Sequence, residues 1–208
     1  MEQDYLEQLK GKAFDSLIFS SRKIPVSIIE NYAKYGQIVL LEPSKSPLLS
    51  SISVDRSQGL MALCQWLKKQ DIKKCALLFS RKKETSVTYK ATMKAFHNVF
   101  GKQQAFETYG NISTYQDAYD LAKLLEKDSE IGAIIANGDD VAAGLLTYYQ
   151  EKGLRLPLIV SQESQLSGKL LKIPSVNNHS FELGKTAFQL ATQVTCQHQS
   201  LDSDFLLR

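Results

Sequence analysis

Long apolar runs are missing from this 208-residue chain, and none approaches the ~18 residues that a membrane-crossing helix requires. The first residues after Met1 read EQDYLEQLKGK, acidic and helix-like, without the basic start and apolar core of an export signal. No membrane contact is expected, and the compartment implied is the cytoplasm. Cysteine is scarce: Cys64, Cys75 and Cys196 lie far apart with no CxxC spacing, which excludes a disulfide framework and a zinc or redox pair. They read as reduced, mostly buried thiols. His97, His179 and His198 form neither an i,i+4 pair nor an HExxH arrangement, so no metal site is signalled. No GxGxxG, GxxxxGK[ST] or GxSxG string occurs, which removes the usual phosphate cradle and nucleophile elbow; no cofactor and no catalytic residue is assigned. Excess charge is lacking too. The 25 basic and 22 acidic residues leave +3, too little for an electrostatic footprint on nucleic acid. Neither a low-complexity tract nor a repeat interrupts the chain.

What is present is ordinary globular composition, 43% hydrophobic and 23% charged, in a chain long enough for one large domain or two modest lobes. Strand-length apolar runs, LIFSS (17–21), QIVLLE (37–42), KCALLF (74–79), IGAIIA (131–136) and LPLIVS (156–161), alternate with stretches of helical spacing at 2–10, 25–35, 57–70, 86–100, 115–127, 139–152 and 180–197. That alternation predicts βαβ units in an α/β fold with mainly parallel sheets. Pro25 suits a first helical turn, Asp55 or Ser57 can cap the helix that follows, and Ser113 or Thr114 can cap YQDAYDLAKLLEK. Gly36, Gly101 and Gly153 stand where a left-handed closing residue is wanted.

The loop character changes around SRKKETS (80–86) and again after 161, where Ser, Asn and Gln become frequent. Two lobes follow: residues 1–80, with about 162–178 as a crossing and 200–208, and residues 81–161 with about 179–199.

Four segments together resemble the LacI/GalR family of transcriptional regulators. FDSLIFSS (14–21), with QIVLLE and SISVDRSQG (51–59), is similar to that family's "V-D-G-I-I" strand and its sequel. GLMALCQWLKKQDIKKCALLF (59–79) is similar to "A-x-x-x-L-x-x-x-G-H-x-x-I". NGDDVAAGLLTYYQEKGLRLP (137–157) is similar to "N-D-x-x-A-x-G-x-x-x-x-x-x-x-G-x-x-x-P". IPSVNNHSFELGKTAFQLA (173–191) is similar to the closing "L-T-T-V…G-x-x-A" helix, and the first segment also resembles DegA-like members. The resemblance implies a two-lobed, periplasmic-binding-protein-like (type I) fold. It also implies a first lobe truncated at its start, so that DNA is reached only through an absent helix-turn-helix.

The resemblance further implies a cleft between lobes that takes a small-molecule effector, a sugar or related metabolite. Carried over by motif, Asp139 matches the Asp of "N-D-x-x-A-x-G", Glu163 in LIVSQES (158–164) matches the Asp of "V-G-F-D-D", and Thr92, with Lys90 two residues earlier, falls where the family usually has Arg. Neither Thr nor Lys reproduces the planar two-bond fork of Arg. Each residue has a plainer reading as well: Asp139 as a helix cap or first-turn acid, Glu163 as a solvated loop acid, Lys90 as a solvated helix charge. Asp139 and Asp140, adjacent on a helix, point about 100° apart and do not form an acid and base pair. Trp66, Tyr148 and Tyr149 read as packing residues.

The implied function is the effector-binding and dimerisation part of a regulator, a homodimer that responds to ligand by shifting between two states and not an enzyme. The competing reading is the soluble sugar-binding protein of a transport system, which shares the fold. A small hydrolase or transferase lacks a nucleophile and base pairing. In the truncated lobe, residues 15–20 are expected at a sheet edge covered by a neighbouring copy or a terminal segment.

Overall fold

The computed structural model describes residues 1–81, 86–101 and 103–208. The chain divides into two compact units, Met1–Asp55 with His179–Leu201, and Arg56–Asn178 with Asp202–Arg208. Both are α/β, as the alternation predicts.

In the first unit, β1 (Ser16–Phe19), β2 (Gln37–Leu40) and β3 (Ser50–Asp55) run parallel, and β9 (His198–Asp202) lies beside β3, in the order β1-β2-β3-β9. Side chains on a strand alternate between faces. Ile38 and Leu40 therefore meet Leu6 and Leu9 of α1 (Glu2–Lys10) and Ile29 of α2 (Val26–Glu30), while Val39, between them, meets Ala187, Leu190 and Ala191 of α8 (Ser180–Ala191) on the other face. The edge strand β1 has no strand on its outer side among the described residues, and Ile18 is 41% exposed.

The second unit holds a six-stranded sheet built from β4 (Lys74–Leu78), β5 (Ala105–Tyr109), β6 (Ile131–Ala136), β7 (Leu158–Ser161), β8 (Ser175–Asn177) and β10 (Asp204–Leu206). Its order is β10-β8-β7-β6-β4-β5; all neighbours are parallel except β10, which runs antiparallel to β8. Ala76, Leu78, Ile134 and Ala136 face α5 (Tyr115–Leu125) and α6 (Asp139–Glu151). The intervening Cys75, Leu77, Ala133 and Ile135 face α3 (Ser57–Lys68) and α4 (Val87–Phe100). Burial pushes the Cys64 and Cys75 thiols up to about 12, which leaves them inert, whereas Cys196 is exposed.

The units divide the chain differently from the lobes expected. Residues 56–80, 162–178 and 202–208 belong to the second unit and 179–199 to the first. The cause is pairing: β4 sits between β5 and β6, and α8 packs on β2 and β3. Residues 82–85, within the crossing expected at 80–86, lie outside the described residues. The last long helix stops at Ala191 and is followed by β9, and a short α7 (Leu166–Leu170) stands where no helix is expected. Thr114 caps α5 with a full capping box, but Arg56, not Asp55 or Ser57, holds the N-cap position of α3. Gly101 and Gly153 are left-handed, with φ 74° and 62°, whereas Gly36 is extended at φ 176°.

Candidate functional site

In the second unit, β4 connects outward to β5, and the chain then crosses back so that β6, β7 and β8 build away on the other side of β4. The direction of winding reverses between β4 and β6, and open α/β sheets bind ligands beyond the carboxyl ends of the strands at that point. A cavity of about 270 Å³ opens there. Ser80 beyond β4, Asn137 and Gly138 beyond β6, and Glu163 and Gln165 beyond β7 line it; Arg56, Thr88, Ser113, Asp140 and Val141 complete the wall. The volume is at the small-metabolite end of ligand sites.

Arg56 supplies a half-buried guanidinium that donates to Thr88 Oγ1 at 3.2 Å. Burial lowers its pKa and the Glu163 charge opposes that, but an arginine stays charged in either case. Across the cavity, burial raises the Glu163 carboxyl above its ordinary 4.5, Arg56 pulls it back, and Asp139 and Asp140 push it up again. Glu163 Oε2 accepts a 2.8 Å hydrogen bond from Gln165 Nε2. Asn137 donates through Nδ2 to the Ile112 carbonyl at 3.0 Å, while its buried Oδ1 has no partner among the described residues. Asp140 accepts from the Ser167 hydroxyl at 2.7 Å. The wall thus offers a cationic donor fork, two carboxylate acceptors, and hydroxyls and amides that can do either. Such a set suits a polyhydroxylated ligand, because each hydroxyl taken out of water must find a partner.

Of the residues carried over by resemblance, Glu163 alone lines this cavity. Asp139 lies directly behind it, fully buried, and its Oδ2 accepts from the Gln165 backbone N–H at 2.6 Å. Burial raises the Asp139 carboxyl above 3.8, and hydrogen bonding from Ser161, Gln165 and Gly168, with the Arg208 charge, pulls it back. Gly168 must lack a side chain here, since a Cβ would stand 2.1 Å from Asp139 Oδ2. Thr92 is 1% exposed and donates to Gln162 Oε1 at 2.7 Å, so its hydroxyl is committed inside the core. Lys90 is exposed on a separate groove between α3 and α4, with Met61, Ala91 and Lys94.

The four residues therefore do not converge on one ligand position. The position one helical turn before Thr92 does reach the cavity, through Thr88, and the guanidinium comes from Arg56. Arg56 was visible in SISVDRSQG as a cation between a strand and a helix, and only the strand order reveals which cavity it enters.

The model of the family described as periplasmic binding proteins and sugar binding domain of the LacI family matches residues 1–200. Catabolite control protein B of Bacillus subtilis (strain 168) is 25% identical over 194 residues, covering 93% of this chain and 62% of that protein. The HTH-type transcriptional regulator pepR1 of Lactobacillus delbrueckii subsp. lactis is 24% identical over 215 residues, covering 99% of this chain and 64% of that protein. The chain thus spans less than two thirds of these relatives. Among solved structures, the LacI family transcriptional regulator from Enterococcus faecium with bound ribose superposes with a TM-score of 0.82 at 19% identity, covering 99% of this chain and 82% of that one. The LacI family regulator CCPA from Weissella paramesenteroides with bound sucrose gives 0.83 at 18% identity, covering 100% and 81%. These likenesses establish the fold.

Proposed function

The chain belongs to the family of periplasmic binding proteins and LacI-family sugar-binding domains, and from that membership we propose that it is the effector-sensing part of a cytoplasmic, homodimeric transcriptional regulator. The relatives that support a regulator over a transport protein are catabolite control protein B, named a control protein, and pepR1, named a transcriptional regulator. Operator DNA is assigned to no residue of this chain; contact with it belongs to a helix-turn-helix elsewhere in the regulator. The effector is a neutral or nearly neutral polyol of the sugar class, held in the second unit by Arg56 at one wall and Glu163 with Asn137 at the other. Binding, not turnover, is the activity, since a ligand that prefers one of two states shifts their populations by its differential affinity alone.

One observation carries this reading: a guanidinium and a raised-pKa carboxyl face the same cavity beyond the strand ends where the winding reverses. Calorimetric titration with ribose, glucose and sucrose tests it. The expected result is saturable binding of at least one sugar, weakened by about 10-fold to 100-fold in Arg56→Ala, the range for losing hydrogen bonds from a charged donor. Equal binding by the wild type and Arg56→Ala, or no binding of any of the three, contradicts it.

A further inference from the structure

The far wall of the cavity is a short loop, Glu163-Ser164-Gln165, between β7 and α7, held locally by hydrogen bonds between the Ser161 hydroxyl and the Glu163 backbone. Further anchors come from residues distant in sequence. Asp139 accepts from the Gln165 N–H, and Arg208 reaches the loop from the last strand: Nη2 donates to Ser164 Oγ at 2.5 Å, while Nη1 donates to Ser175 Oγ at 3.0 Å and the Ile173 carbonyl at 3.2 Å. The segment that delivers Arg208 is fixed along its length. Phe205 pairs with Val176 across the β10–β8 ladder and packs on Trp66 with ring centroids 5.5 Å apart. The 2% exposed Ser203 accepts at Oγ from the Gly59 N–H, 3.1 Å away in the first turn of α3, three residues beyond Arg56.

Resting on the effector-site reading above, we propose that Asp202–Arg208 is a brace that fixes both walls of the cavity, Ser203 anchoring the Arg56 wall and Arg208 acting as the positioning residue for the Glu163–Gln165 wall. Arg208 has two tasks in this arrangement. Its fork bonds Ser164, Ile173 and Ser175 and sets where the loop lies. Its charge also compensates the buried Asp139 carboxylate, which holds the same loop from behind. The Arg208 charge from the brace lowers the Asp139 carboxyl, while the negative charges of Asp139 and Asp140 bear on Glu163 in the loop.

The test uses the whole chain and three variants: Arg208→Gln, Arg208→Lys and Ser203→Ala. Carboxyl NMR titration of Asp139 and amide exchange at Gln165 are the readouts, neither of which needs a ligand. Arg208→Gln is expected to raise the Asp139 midpoint and to speed Gln165 exchange by about tenfold. Arg208→Lys is expected to keep the Asp139 midpoint near that of the wild type, because the charge remains, while Gln165 exchange still rises, because a lysine cannot reproduce the fork. Ser203→Ala keeps Arg208 and is expected to speed exchange at Gly59 alone.

A purely structural edge strand would lower melting temperature in all three variants with the Asp139 midpoint and the Gln165-to-Gly59 pattern unchanged, and that result overturns the proposal. With ribose as probe, a wild type that fails to bind removes the effector reading, while the two NMR readouts still decide on the brace. A wild type that binds is expected to lose about tenfold in affinity in Arg208→Gln.

Discussion

Glu163 and Asp139 show what a single carboxyl does when its surroundings change. Both lie above their ordinary values, mainly through burial, so for each the fold favours the protonated form. The contribution to stability is then fully present below the unfolded value, 4.5 for Glu163, and is lost as pH rises through the raised folded value. Carboxyls such as Asp117, held below 3.8 chiefly by the Ser113 N–H, act in the opposite sense and are common to any variant of Glu163. The difference in melting temperature between Glu163→Gln and the wild type is therefore expected to become more positive as pH rises above 4.5, and a difference that is flat with pH contradicts the burial assigned to this carboxyl. At this scale the sequence was a partial guide. A helix repeats every 3.6 residues, so Thr88 and Thr92 share a face of α4, but one opens on the cavity and the other lies a turn deeper against Gln162. Spacing finds the face, not the depth.

At the scale of elements, the pairing of α5 with α6 depends on one residue without a side chain. A Cβ at Gly144 would lie 2.2 Å from the Tyr115 carbonyl oxygen, so the two helices approach closely only because position 144 is glycine. Gly144→Ala must push them apart and is expected to destabilise the chain by about 2 kcal/mol, the middle of the range for overpacking a core. Denaturant unfolding measures it, and an unchanged midpoint refutes the close approach. The long elements were legible because their signals are strong: strand-length apolar runs alternating with helical spacing, and Ser113 or Thr114 as a cap before α5, where Thr114 forms the full capping box with Asp117. The elements missed are short: α7 and the strands β3, β5, β8, β9 and β10, none longer than six residues. α7 has five residues, and HQSLD of β9 and DFL of β10 gain their strand character from β3 and β8 beside them, not from local pattern.

For the whole molecule, the fold class was legible and the partition was not. The chain passes between units after residues 55, 178 and 201, and at the first of these β3 runs into α3 with only Arg56 between them, leaving no loop composition to mark the boundary. The sheet neighbours of a strand decide its unit, and these are non-local. Among the described residues β1 is an edge strand with no terminal strand beside it and Ile18 exposed, so the cover expected over residues 15–20 rests on the homodimer proposed above, which sedimentation tests. A two-copy mass is expected; a one-copy mass removes the dimer from the proposal and leaves the cavity untouched. Whether that cavity takes a sugar is read from a ribose titration followed residue by residue through backbone amide shifts. Saturable shifts are expected, concentrated at Ser80, Thr88, Ser113, Asn137, Gly138 and Gln165, the residues around Arg56 and Glu163. Saturable shifts that gather instead around Lys90 and Lys94, in the groove between α3 and α4, would contradict that site.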